Sequence, residues 1–506
     1  MVACNQTRNT RLAAVCETTE GVPVSPSAGT DFQPIQTGAF SLTPEIETLT
    51  NDESTGSLGP AKSISGPEAP AGSVSLYMRH SGVEGTEPGL SPFLEAAFGQ
   101  KVVHGTERDT VGGSTTTVVN VDTGEGVDFV VGQALLIKDA TNGYSIRPIE
   151  SITGDALTLG VAIGTAPAAA VNLGDAVTFR PIDCGHKTLS IWDYRGNGTA
   201  VQMMAGSRVT NTTIDVTAGE LINSSFDLEG ISYYFNPVEV VAGVNDDLDF
   251  TDDGGTVAAT IPAKIYKKPS AFAEAVAAAM NAVSTDTITV TYSNSTGKFT
   301  IANTTGAVLS LLWFSGANTA TTIGGTMGFV VASDDTGSLS YVSDNALDID
   351  SPYEPDFSAF ADPLVAKNHE LFIGDQADNI CIKANSVSFS LGTPKANKED
   401  ICAESGISGS VISERTATLS VTAFLDTYDA DKICRLLDNT DTRAVYNAGL
   451  KDGSGNWIPG YNWMLYMKTA TVSSYSIDDL DGLVAVSFEL TSFVKDGEAE
   501  VFLSFV

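Results

Sequence analysis

The sequence predicts a mainly β protein of several domains, and three observations predict it. The chain has 506 residues, too many for one hydrophobic core. Its 48 glycines, with abundant Thr, Ser and Val, suit strands and turns. Two stretches also repeat each other. Phe40-Ser41-Leu42-Thr43-Pro44 returns as Phe389-Ser390-Leu391-Gly392-Thr393-Pro394. Val209 and Ile214-Asp215 return as Val472 and Ile477-Asp478, and Gly219 returns as Gly482. Phe226-Asp227-Leu228 returns as Phe488-Glu489-Leu490 after one deletion.

The spacing locates an insertion. Phe40 and Phe389 are 349 residues apart, and Val209 and Val472 are 263 apart. The first copy therefore holds 86 extra residues between Leu42 and Val209. Composition changes from about Gly105 to Ile182, which marks the insert.

Element by element, residues 1–35 are polar and rich in Thr, Pro and Ser, an arm or long loop. Gly38–Leu49 reads as a strand, and the stretch up to Gly72 as a flexible loop of functional length. Ser73–His80 alternates, with Val74, Leu76 and Met78 on one face. A short helix follows, with Ser91 as its cap and Leu90, Phe93, Leu94, Ala97 and Phe98 as its apolar stripe. The second copy keeps this order. It has a strand at Asn385–Leu391, a polar loop at Glu399–Arg415, an alternating strand at Thr416–Leu425 and a helix capped by Asp429. Each copy ends in a meander: His186–Tyr194, Val209–Val216 and Ser225–Phe235, then Tyr461–Met467, Val472–Ile477 and Leu483–Phe493. Such a sheet wraps into a sandwich or barrel with one flanking helix.

The domain map has five parts. Residues 1–104 with 183–235 form copy 1, interrupted by a small β domain at 105–182. Residues 236–331 form a small α+β module around an amphipathic helix, Ser270–Val283, with Phe272, Val276, Ala279 and Met280 on one face. Residues 332–365 read as a linker, and 366–506 as copy 2.

Charge and motifs narrow the function. Acids outnumber bases 62 to 27, for a net charge of -35, which argues against a surface built to grip nucleic acid. Cys4, Cys16, Cys184, Cys381, Cys402 and Cys434 form no C-x-x-C pair and read as buried or incidental thiols of a reducing compartment. The N-terminus has no apolar run, and no stretch has the length of a membrane span. Glycine-rich phosphate loops and a G-x-S-x-G elbow are absent, and His80, His104, His186 and His369 are scattered. The run from Asp247 through Asp249 and Asp253 to Gly254 hints at a calcium loop, but Ala258 stands where the twelfth-position acid belongs. An Asp-rich turn fits better. Asp478, Asp479 and Asp481 read as a solvated turn, since only Asp215 recurs in the first copy. No catalytic residue, metal site or cofactor is expected.

The strand–loop–strand–helix order, on the repeated residues given above, resembles the phage tail tube proteins, the major tail proteins of long-tailed phages. The resemblance covers both copies and excludes the two modules. It implies a tube domain that is a β-sandwich with a flanking helix, closes with six domains per ring, and stacks through a long loop between early strands. A chain with two such domains then implies trimeric rings with pseudo-sixfold symmetry. It places the stacking loops at 50–72 and 399–415, and so assigns ring-to-ring contacts to Asp52, Glu53, Ser54, Leu58, Lys62, Glu68, Glu399, Asp400, Glu404, Ile407 and Glu414. The implied partners are further copies of the chain, other tail proteins, and genomic DNA that passes the lumen without specific binding. The implied location is the virion tail, after synthesis in the host cytoplasm.

A competing reading is a surface- or carbohydrate-binding β protein, with Trp192, Trp313, Trp457 and Trp463 as sugar platforms. Concentration-dependent polymerisation separates the two. The tube reading carries further expectations: a neutral to acidic inner wall, and modules at 105–182 and 236–331 outside the wall, with 105–182 dispensable for stacking.

Overall fold

Val74 and Leu76 alternate with Ser73, Ser75 and Tyr77, and they form a strand at Ala71–Tyr77 with both apolar residues buried. The computed structural model describes residues 9–54, 56–57, 59–196, 200–358, 360–374, 376, 380–425, 440–480, 482–495, 497 and 499–506. The fold is mainly β, with large antiparallel sheets and two α-helices among the described residues. The chain divides into two units: residues 1–12, 191–204 and 232–354, and residues 13–190, 205–231 and 355–506.

The larger unit holds one strand pattern twice. In the first copy the strands are β1 (Phe40–Thr43), β2 (Ile46–Leu49), β3 (Ile64–Glu68), β4 (Ala71–Tyr77), β5 (Ala200–Thr217) and β6 (Asn223–Glu229). The second has β7 (Ala384–Gly392), β8 (Lys395–Glu399), β9 (Ile407–Ile412), β10 (Thr416–Phe424), β11 (Trp457–Leu480) and β12 (Leu483–Ser492). β1 pairs with β4, β4 with β6, and β6 with β5. In the same order β7 pairs with β10, β10 with β12, and β12 with β11.

The ladders align the copies more finely than sequence does. In the first, Leu228 faces Val209 across a bulge that ends at Asn211; in the second, Leu490 faces Val472 across a bulge that ends at Ser474. Along these rows Leu228 meets Gly72 and then Leu42, while Leu490 meets Leu419 and then Phe389. Leu42, not Phe40, is thus the counterpart of Phe389, and the sequence match of the two phenylalanines is out by two residues. A shift of two keeps every side chain on its face, which is why the apolar pattern hides it. The bulges also explain the long strands: β5 has 18 residues and β11 has 24, because a bulge bends a strand without ending it.

The helix α1 (Ser91–Phe98) buries Phe93, Leu94, Ala97 and Phe98. Leu90, not Ser91, holds the capping position, and the Ser91 hydroxyl donates to the Glu87 carboxylate. Phe93 stacks on Phe226 of the first copy at 5.1 Å, and Phe98 on Phe389 of the second at 6.5 Å. The helix expected after Asp429 lies outside the described residues.

The insert is a six-stranded sheet: Arg108–Asp109, Asn172–Leu173, Ala134–Asp139, Gly143–Thr153, Ala156–Leu159 and Val118–Asn120. Ala134–Asp139 is apolar on both faces for a reason. Leu135 and Ile137 join Val119, Phe129, Leu157 and Leu159 in the insert's own core. Ala134 and Leu136 join Val445, Trp457, Met464, Tyr466 and Phe502 of the second copy. Asn447 Nδ2 donates to the Ile146 carbonyl at 3.2 Å, and Arg443 reaches Glu150 at 2.7 Å. The insert therefore packs into the core of the second copy, which argues against a dispensable decoration. The strand Ala176–Pro181, at the end of the insert, stays out of the small sheet and pairs with Gly99–His104 and Val501–Phe505.

In the other unit, α2 (Pro269–Val283) buries Phe272, Val276 and Met280 against Phe250, Phe299 and Ile301. Ser340–Val342 pairs with Lys298–Asn303, and the Asp334 carboxylate accepts from the Phe314 and Ser315 amides. The module thus runs past residue 331 into the stretch expected as a linker.

Candidate functional site: two hairpin arms and two open sheet edges

Both expected loops are hairpin arms. In the first, Ile46 faces Glu68 and Leu49 faces Ile64. In the second, Lys395 faces Ile412 and Glu399 faces Ile407. All four residues of β2 are exposed, and it is the far end of the strand expected at Gly38–Leu49, which breaks at Pro44 and Glu45. Asp52, Glu53, Ser54 and Lys62 lie exposed in the first arm, and Leu58 lies outside the described residues. Glu68 is half-buried, and its amide donates to the Ser405 carbonyl of the second arm at 3.0 Å. Glu399, Glu404 and Glu414 are exposed. Asp400 shapes the turn, accepting from the Cys402 amide at 2.9 Å. Ile407 is only 5% exposed and is a packing residue, contrary to its expected contact role. Ile401, which sequence reasoning passed over, is the fully exposed apolar residue of that turn.

The second arm is anchored at its base. Arg208 on β5 donates to the Ser410 hydroxyl at 2.6 Å, the Ser410 carbonyl at 2.8 Å and Glu20 at 3.0 Å. Glu20 in turn accepts from the Ser410 amide at 2.7 Å. Lys395 donates to the Gly230 carbonyl at 2.8 Å, and burial pushes its ammonium below the usual lysine range despite nearby Glu229. Arg415 holds Glu500 through two bonds of 2.5 and 3.1 Å. Buried charges held this way fix the arm's root, since removing one partner strands the other.

The two copies join edge to edge. β5 pairs with β7, placing Ile214 opposite Phe389 and Asp215 opposite Ser388. The Ser388 hydroxyl donates to Asp215 at 2.6 Å, and Ile214 is 1% exposed. The corresponding edges elsewhere in the unit have no strand on them among the described residues: β1 pairs only with β4, and β11 beyond Val472 pairs only with β12. At that end of β11 and β12, Ile477 is 58% exposed, Leu483 59% and Val484 56%.

The titratable groups have structural work. His80 packs on Tyr461 and His104 on Phe129, and His369 Nδ1 pairs with the Tyr446 hydroxyl at 2.6 Å. Burial pushes all four histidines down, to about 4 for His80, His186 and His369. A cavity of about 270 Å³ near His369 and Cys381 has no carboxylate in its lining. The Asp-rich run binds its own loops. Asp249 accepts from Asn318 at 2.6 and 2.8 Å, and Asp247 from Thr260 and Thr321 at 2.9 and 2.8 Å. Cys184, Cys381 and Cys402 are exposed and Cys16 is half-buried.

No protein-family model matches the chain, and no curated protein matches it. Solved structures do. A chain of "Virion of native gene transfer agent (GTA) particle" is 14% identical, over 27% of this chain and 95% of its own, with a TM-score of 0.19. A chain of the anti-feeding prophage baseplate, 6-fold symmetrised, is 11% identical, over 29% and 97%, with a TM-score of 0.22. A type six secretion system protein is 14% identical, over 26% and 88%, with a TM-score of 0.18. Likeness of this size leaves function to the chain's own geometry.

Proposed function

We propose that the protein is a structural virion protein that polymerises as stacked rings to form a phage tail tube, the conduit for DNA during ejection. The observation that carries this reading is the β5–β7 joint, which lays two copies of one strand pattern edge to edge in a single sheet. A protein that joins its own repeats this way has the design of a ring segment, because a repeated head-to-tail contact closes when its rotation allows. Three chains then supply six domains. The arms, with Ile46, Leu49, Ile64 and Ile401 exposed, supply the ring-to-ring contact. The role is mechanical rather than enzymatic. The strong acidity suits a channel that DNA traverses without adhering, since cationic contacts create salt-dependent affinity.

The carbohydrate-binding alternative loses its platforms. Trp192, Trp313, Trp457 and Trp463 are 5%, 1%, 2% and 0% exposed. Negative-stain imaging of the purified protein across concentration and salt tests the proposal. Rings or tubes support it; a chain that stays monomeric throughout overturns it.

A further inference from the structure

The intrachain joint has an empty counterpart. β7 offers its outer edge to β5, in the register Thr213 to Ser390, Ile214 to Phe389 and Asp215 to Ser388. The shared bulge makes Ile477 the counterpart of Ile214, and the strand rows make Leu42 the counterpart of Phe389. Both counterpart strands are present in the chain, yet no described strand covers either edge.

We infer that β11 of one chain pairs with β1 of a second copy in this same register, with Ser476 opposite Thr43, Ile477 opposite Leu42, and residue 478 opposite Ser41. This deepens the ring reading and rests on it, because it names the contact that would close the ring.

Three observations carry it. The first is exposure: Ile214 is 1% exposed under its partner strand, and Ile477 is 58% exposed without one. Leu483 and Val484 beside it are as exposed, and an open strand edge flanked by such an apolar patch is a docking feature that a monomer has reason to remove. The second is sequence: the serine–aspartate pair that bonds across the intrachain joint, Ser388 with Asp215, recurs as Ser41 and Asp478 at the two open edges. The third is where the marked departures fall, at the strand end. Val216 and Thr217 are replaced by Asp479 and Leu480, and Asp479 accepts from the Gly482 amide at 2.9 Å, so it closes the tight β11–β12 turn at the end of the ladder. Backbone pairing supplies the affinity of such an added strand, and the alternate side chains supply its register.

The test uses the full chain with Cys184, Cys381 and Cys402 changed to serine. A Thr43→Cys/Ser476→Cys variant, whose two positions are exposed in the single chain, should on oxidation give covalent dimers and trimers. A Ser41→Cys/Ser476→Cys variant, two residues out of register, should give at least tenfold less. Ile477→Lys should leave the melting temperature of the monomer unchanged and weaken self-association at least tenfold. If assemblies form but the out-of-register pair links best, or Ile477→Lys assembles normally, the inference is overturned and the ring reading stands. If the parent chain never assembles, both fall.

Discussion

Thr210 and Ser473 occupy the same place in two ladders. Each is the extra residue of a β-bulge, and each turns its hydroxyl onto the carbonyl of the facing acid, Asp227 at 3.4 Å and Glu489 at 3.3 Å. A bulge sets which face every later side chain takes, so the shared one keeps both copies in phase. Deleting Thr210 should turn Ile214 away from Phe389 and leave the protein insoluble. Deleting Ser473 should reverse a segment that is largely exposed, so the chain should stay soluble and lose assembly. Solubility and sedimentation of the two deletions check this.

The insert should prove structural. Leu136 is fully buried between the insert and the second copy. Leu136→Ala should cost about 2–5 kcal/mol by urea denaturation, as large-to-small changes in a packed core do. Excision of residues 105–175 should yield aggregated protein, because Trp457, Met464 and Tyr466 lose their cover.

Glu500 and Arg415 should behave as a coupled pair. Their side chains are 4% and 14% exposed, so Glu500→Gln should cost about 3 kcal/mol by leaving the guanidinium unpaired. Adding Arg415→Met should restore part of the loss, which a double-mutant cycle measures.

Stability should fall as pH drops from about 6.5 toward 4. His80, His186 and His369 titrate near 4 in the folded chain because burial disfavours their charged forms, while the unfolded chain binds protons from about 6.5. Below 6.5 the unfolded state therefore holds more protons and is favoured. Urea midpoints across this range should decline, and His80→Asn should flatten the decline.

The alternation of Val74 and Leu76, and of Leu419 and Val421, was legible because one face of each strand is buried. The arms were legible mainly as long loops: β2 fell inside the expected strand Gly38–Leu49, but β3 and β9 were read as loop, and β3 has no buried face to leave a period-2 signal. The bulge-matched residues Val209 and Val472 were found by sequence, but the neighbouring Phe40 match slipped by two. The repeated Phe-Ser-Leu string outweighed the register, which only paired strands can fix. Of the contact residues, the exposed acids stood where loops were expected. Ile407 proved buried, and Ile401 and Ile477 were missed because a lone isoleucine carries no sign of its exposure.

Ile401→Asp should separate stacking from ring formation. The side chain is fully exposed on the second arm, so the single chain should fold and melt as before. Single rings should persist in micrographs while tubes disappear.

The most direct measurement is a cryo-EM reconstruction of the assembled protein, counting chains per ring. The account expects three complete chains, six copies of the repeated strand pattern, and β11 of each chain laid against β1 of the next. A ring of six complete chains, or a particle whose chains do not meet along these edges, would contradict it.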